Sequence, residues 1–194
     1  MPAEFGAPAK VSITENDNKI LIQILSYDTS GKLTNIVSNT LRQNIANYLS
    51  NYRMMNDYIS IFTAEVIDLG VEVSIVLDSA QNSGQVISSV IDKISTYFNP
   101  QTRELGQNVY LSEIKSLIQN TNGVLTVAGL DIFNQVGGQY SSAETSMPYA
   151  DATTKLISTV DDTIFAQPSQ VYQIRYPSKD IKVSVKNFQS VTFS

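Results

Sequence analysis

Hydrophobic positions along the chain switch between two periods. Val11 to Thr14 reads as a short strand, and Asn16-Asp17-Asn18 supplies turn residues. Lys19 to Tyr27 (KILIQILSY) is β-rich and puts Ile20, Ile22 and Ile24 on one face. Asp28 to Gly31 is a second turn. From Thr34 to Tyr52 the period becomes helical. Val37, Leu41, Ile45, Tyr48 and Tyr52 recur at four- and three-residue intervals, Leu49 widens the stripe, and Thr34 suits the N-cap. Ile59, Ile61 and Val66 follow in extended chain. The clearest strand comes next. Ile67, Leu69, Val71, Val73, Ile75 and Leu77 are all odd-numbered, with Asp68, Gly70, Glu72, Ser74 and Val76 between them. Alternation of this length predicts one buried and one wetter face.

Asn82 and Ser83 offer caps for a helix over Gly84 to Phe98, with Ile87, Val90, Ile91, Ile94 and Phe98 inward. Asn99-Pro100 ends it, because a residue before proline disfavours the α region. Asn108 to Leu111 is extended, and Ser112 is placed to cap a short helix through Gln119 with Ile114, Leu117 and Ile118 inward. Asn122-Gly123 turns into a strand over Val124 to Phe133. The order predicts an α+β fold with a mixed or antiparallel sheet and helices packed on one face. After Phe133 the composition shifts. Gln135 to Thr154 is rich in Gly, Ser, Ala, Thr and Tyr and reads as a long loop. Strands over Val171 to Tyr176 and Asp180 to Lys186 follow, with Pro177-Ser178-Lys179 as the turn between them. The expected organisation is an α+β core over residues 1–133 and a β-rich C-terminal extension over residues 134–194.

Composition narrows the function. The chain has 194 residues, 42% hydrophobic and 16% charged, enough for a sizeable core and unlike a disordered segment. A net charge of −5 with scattered Lys and Arg argues against nucleic-acid or anionic-membrane partners. There is no Cys and no His. Thiolate nucleophiles, zinc–thiolate sites, disulfides and His-dependent triads are therefore excluded within the chain. The opening MPAEFGAPAK has no apolar signal-like core and resembles a linker from the middle of a longer protein.

Candidate chemistry is thin. Asp68 and Glu72 share a strand face, but four residues of strand span ~13 Å, too far for shared metal ligation. A solvated strand face is the expected role. Asp161-Asp162 reads as a helix or loop start. Gly137-Gly138 lies in neither phosphate-binding glycine pattern, and Asp78 to Gly84 lacks the alternate acids of a calcium loop. No catalytic residue, metal site or cofactor is assigned, and the chain reads as no enzyme. There are 10 Tyr and no Trp. Tyr48, Tyr52 and Tyr97 sit at core-facing helix positions, whereas Tyr140, Tyr149, Tyr172 and Tyr176 lie in or after the loop-rich part. The two C-terminal strands, through Tyr172, Ile174, Tyr176, Ile181, Val183 and Val185, form the candidate self-association surface. A small-molecule-sensing α+β domain is the alternative.

Four stretches carry a family resemblance by their order and spacing. They are the helix followed by YRMMNDYISI, the strand LGVEVSIVLD, the helix ending TYF with LGQNVYLSEIKSLI after it, and the turn NTNGVLTV. In this the chain resembles the baseplate-J-like family, the baseplate wedge proteins of T-even-type contractile-tailed bacteriophages. VYQIRYPSKDIKVSVK resembles the T-even wedge proteins more narrowly. The resemblance implies a C-terminal fragment of a structural virion protein, made in the bacterial host cytoplasm and placed in the tail baseplate. It implies homodimers joined into a ring, with other wedge proteins and a sheath-initiating component as partners.

Overall fold

A computed structural model describes residues 7–16, 19–52, 58–78, 82–141, 156–157 and 159–186. Tyr149 and most of the predicted long loop lie outside them. The first sheet begins with β1 (Lys10–Asn16) and β2 (Lys19–Tyr27), antiparallel from Lys10 opposite Leu25 to Asn16 opposite Lys19. The next turn is built by Asp28, whose Oδ1 accepts from Ser30 N, Ser30 Oγ and Lys32 N. It returns the chain to β3 (Leu33–Thr34), paired with the end of β2. Thr34 is thus a strand residue and not a helix cap. α1 (Asn39–Ser50) starts five residues later, where Ser38 Oγ accepts from Leu41 N. The helix also ends before Tyr52, which is 70% exposed and packs its ring at a tilt against Tyr48 outside the core. β4 (Tyr58–Thr63) then runs parallel to β2 and leads through Ala64 into β5 (Glu65–Leu77).

β5 is the spine of the second sheet. α2 (Ser83–Tyr97) follows it, capped by Asn82, whose Oδ1 accepts from Gly84 N and Gln85 N. β6 (Val109–Tyr110) leads into α3 (Leu111–Gln119), and β7 (Val124–Asn134) returns antiparallel to β5. The odd-numbered face of β5 packs with Val90, Ile94, Phe98, Ile114 and Ile118 of the two helices in the main core. Ser112 does not cap α3. The helix begins one residue earlier, and Leu111 N donates instead to Asp162 O at 2.8 Å, so a distant turn supplies the acceptor.

The C-terminal strands depart most from expectation. β8 (Thr163–Ile164) pairs with β6, while β9 (Gln170–Gln173) and β10 (Ile181–Val185) do not form a hairpin with each other. Both run parallel to β5, β9 along Glu65–Asp68 and β10 along Val71–Ile75. The predicted turn is a single helical turn, α4 (Pro177–Asp180), set between them. A 13-residue β5 has room for both, and α4 absorbs the register offset. The extension therefore supplies strands to the central sheet.

The Val160–Thr163 turn carries local strain. Asp161 and Asp162 both have positive φ, 51° and 55°, and Val160 and Thr163 bond each other across them. This is the two-residue hairpin geometry that glycine and asparagine adopt best. Asp162→Gly is expected to raise stability by about 0.5–1 kcal/mol in denaturant titration. The Lys115–Asp162 pair lost with it is exposed and contributes less than that.

Candidate functional site

Asp68 lies on the even-numbered, supposedly wet face of β5, yet it is fully buried. Glu72, four residues on, fits the solvated reading and pairs with Lys182 at 2.7 Å. The difference arises because β5 is covered on both faces from Val66 to Val71. There Val66 packs with Leu25, Leu33 and Val171 in a second apolar cluster between the sheets. Asp68 accepts from Gln173 Nε2 at 2.8 Å and from the backbone N–H of Ser141. Arg175, two residues beyond Gln173, gives Nη2 to Asp28 Oδ2 at 2.6 Å and Nη1 to Leu33 O and Ser141 Oγ. One polar junction thus ties β5, the segment after β9, the Asp28 turn and the segment after β7.

Its electrostatics match its geometry. Burial opposes the charge on Arg175, but its hydrogen bond to Tyr176 and the nearby Asp68 and Asp28 charges outweigh burial and raise its pKa. At Asp28, burial pushes the carboxyl up, and the Ser30 hydroxyl, the Lys32 and Ser30 N–H groups and Arg175 together pull it below the usual carboxylate range. Beside the junction, Tyr140 donates to Asp180 Oδ1 at 2.6 Å, and Asp180 Oδ2 accepts from Tyr176 N. Burial and the Asp180 carboxylate raise the Tyr140 phenol. Arg103 is a separate buried cation. It donates to Gln107 O and Asn108 O under the rings of Tyr97 and Phe98. These groups hold backbone segments together. Among the described residues no three His, Cys, Asp or Glu side chains converge as metal ligands, and no helix is long and apolar enough to cross a membrane.

The six residues of the candidate self-association surface are divided by the fold. Tyr172, Ile174 and Ile181 are 1%, 4% and 3% exposed and belong to the main core. Those three positions cannot meet a partner without unfolding the sheet. Val183 is partly buried against the same core, Tyr176 is half-buried, and Val185 is 38% exposed. Tyr172 donates to Phe165 O at 2.7 Å, and burial pushes its phenol up to about 12. A raised folded-state phenol stabilises the fold fully below pH ~10 and loses that contribution as pH rises through the folded value. Alkaline unfolding between pH 10 and about 12 is therefore expected, followed by tyrosinate absorbance. Tyr172→Phe should remove this group's part of that pH dependence.

Among the described residues, the fold leaves strand edges open. β10 ends the sheet order β10-β5-β7, and β1 and β4 flank β2 on either side. Beside β4, a groove of about 310 Å³ is lined by Arg42, Gln43, Ala46, Ser50, Ile59 and Ile61.

No family model matches the sequence, and no curated protein matches it. Among solved structures, 86% of the chain aligns with a chain from the cryo-EM structure of the anti-feeding prophage (AFP) baseplate, 6-fold symmetrised, with a TM-score of 0.52 and 12% identity. The aligned part spans 33% of that longer chain, so this chain corresponds to about a third of it. At that identity the likeness is one of fold.

Proposed function

We propose that this chain is a structural component of a contractile-tail baseplate, assembling with copies of itself and with other baseplate subunits, and performing no catalysis. The observation that carries this reading is the fold shared over 86% of the chain with a baseplate chain. The polar groups support it, since they serve to lock segments together. The finer identity is a T-even-type, baseplate-J-like wedge protein located in the virion tail. The order of the four resembling stretches, and VYQIRYPSKDIKVSVK more narrowly, favours it, and other wedge proteins and a sheath-initiating component are then its partners.

Self-association is assigned to what the core leaves of the C-terminal surface, the β10 edge with exposed Val185 and the half-buried Tyr176 nearby. An open strand edge can add to a partner's sheet by main-chain hydrogen bonds. Light scattering on a size-exclusion column, over a range of loading concentrations, tests it. A dimer or larger species is expected, and Val185→Asp should reduce it without changing the circular dichroism spectrum. A strict monomer at every concentration contradicts self-association.

A further inference from the structure

Among the described residues the first sheet has two open edges of different character, one bearing apolar knobs and the other an apolar groove. On β1, Val11 and Ile13 are 44% and 67% exposed. They stand opposite Ile24 and Ile22 of β2, and cross-strand partners point to the same side of a sheet. That side carries α1, which packs on Ile22, Ile24, Ile59 and Ile61 and leaves Val11 and Ile13 outside the cluster. On β4, Ile59 and Ile61 stand opposite Ile20 and Ile22 and so face the same way. They form the floor of the groove under the outer flank of α1. Arg42, on the groove wall, gives Nη2 to Thr63 Oγ1 and has a buried Nε with no partner among the described residues.

The β4 edge also lacks protection. Its sequence YISIFT holds no charge and no proline, and among the described residues its outer backbone edge is unpaired. Soluble proteins normally blunt such an edge with Lys, Pro or a bulge, because an apolar, flat edge invites another strand. The stretch VSIT of β1 is uncharged too.

We infer that the β1 edge of one copy pairs antiparallel with the β4 edge of the next, with Val11 and Ile13 seated in the groove between β4 and α1. The antiparallel sense follows from β1 running against β2 and β4 running with it, if the sheet continues across the contact. Knob and groove lie on opposite edges of one sheet, so the contact is head-to-tail. A contact of that kind closes into a ring when the rotation allows it. It uses edges other than β10, so one copy can make both contacts. The inference deepens the reading of the chain as a repeated assembly part and rests on it.

The chain has no cysteine, so single replacements report cleanly. Ile13→Cys and Ile61→Cys proteins, each folded by circular dichroism, are treated with copper phenanthroline separately and mixed. A disulfide dimer only in the mixture, and a ladder from the double variant, is the expected result. Cross-linking of either single variant alone to the same extent would overturn the head-to-tail pairing. Ile13→Lys, at an exposed site, should weaken wild-type association about tenfold or more, since it buries a charge at the contact. Association that persists unchanged in Ile13→Lys, with no mixed cross-link, overturns this contact and leaves the assembly reading standing. A monomeric wild type with no cross-link removes both.

Discussion

Asp68→Ala is expected to destabilise the protein by about 3–5 kcal/mol, a large share of the roughly 5–15 kcal/mol that holds a domain together. The carboxylate is fully buried and accepts from Gln173 Nε2 and the Ser141 N–H. Truncation takes the acceptor from the Ser141 N–H and the shorter of two bonds from Gln173 Nε2, which keeps only Leu33 O at 3.4 Å, and each lost bond to a buried group costs desolvation. It also removes a negative charge that helps hold Arg175 charged. Asp68→Asn should cost less, about 2 kcal/mol, because one oxygen remains to accept while the amide nitrogen faces a donor. Urea titration of the three proteins checks the order. Equal stability of wild type and Asp68→Ala would mean that the junction is ornamental. The same titration on Glu72→Ala should show almost no change, since its pair with Lys182 is exposed on both sides.

The contrast between Asp68 and Glu72 shows where a sequence reading stops. β2 falls where its alternating isoleucines predict, because its pattern faces a single helix, α1. The odd-numbered face of β5 is equally legible, since α2 and α3 cover it along its length. Alternation alone assigns every even position to water, and it errs where β5 passes between the two sheets and is covered twice. A signal was present: an aspartate inside the run VIDLGV, with Gln173 and Arg175 alternating in VYQIRY. Pairing those residues needed the knowledge that β9 lies along Glu65–Asp68, a contact 105 residues away in sequence. The same non-locality hid the cap of α3, supplied by Asp162, and turned an apparent C-terminal hairpin into two strands on one spine. Half of the candidate association surface was core for that reason. Alternating apolar residues mark a strand without telling whether its partner is in the same chain.

Arg175→Met is expected to cost about 2 kcal/mol and to weaken the coupling between the two sheets. The guanidinium spans them. It holds Asp28 and Leu33 O of the first sheet while its backbone follows β9 in the second. Methionine keeps much of the apolar stem but none of the donors, and it leaves Asp28 without its cation. The salt bridge is part-buried at 11% and 23% exposed, so the effect falls below that of a fully buried pair. Arg175→Lys should recover little of the loss, because one ammonium cannot reproduce a fork that reaches a carboxylate, a carbonyl and a hydroxyl. A pH series separates the ion pair from packing. Asp28 titrates below its ordinary value in the fold, so its contribution is present above the unfolded value of 3.8 and fades as pH falls through the lower folded value. The wild type should therefore lose part of its advantage over Arg175→Met at acid pH. Hydrogen exchange gives the second readout. Amides of β1 and β2 should exchange faster in Arg175→Met, while those of β5 and β7 change less. Uniform acceleration across both sheets would show that Arg175 contributes to global stability alone and couples nothing.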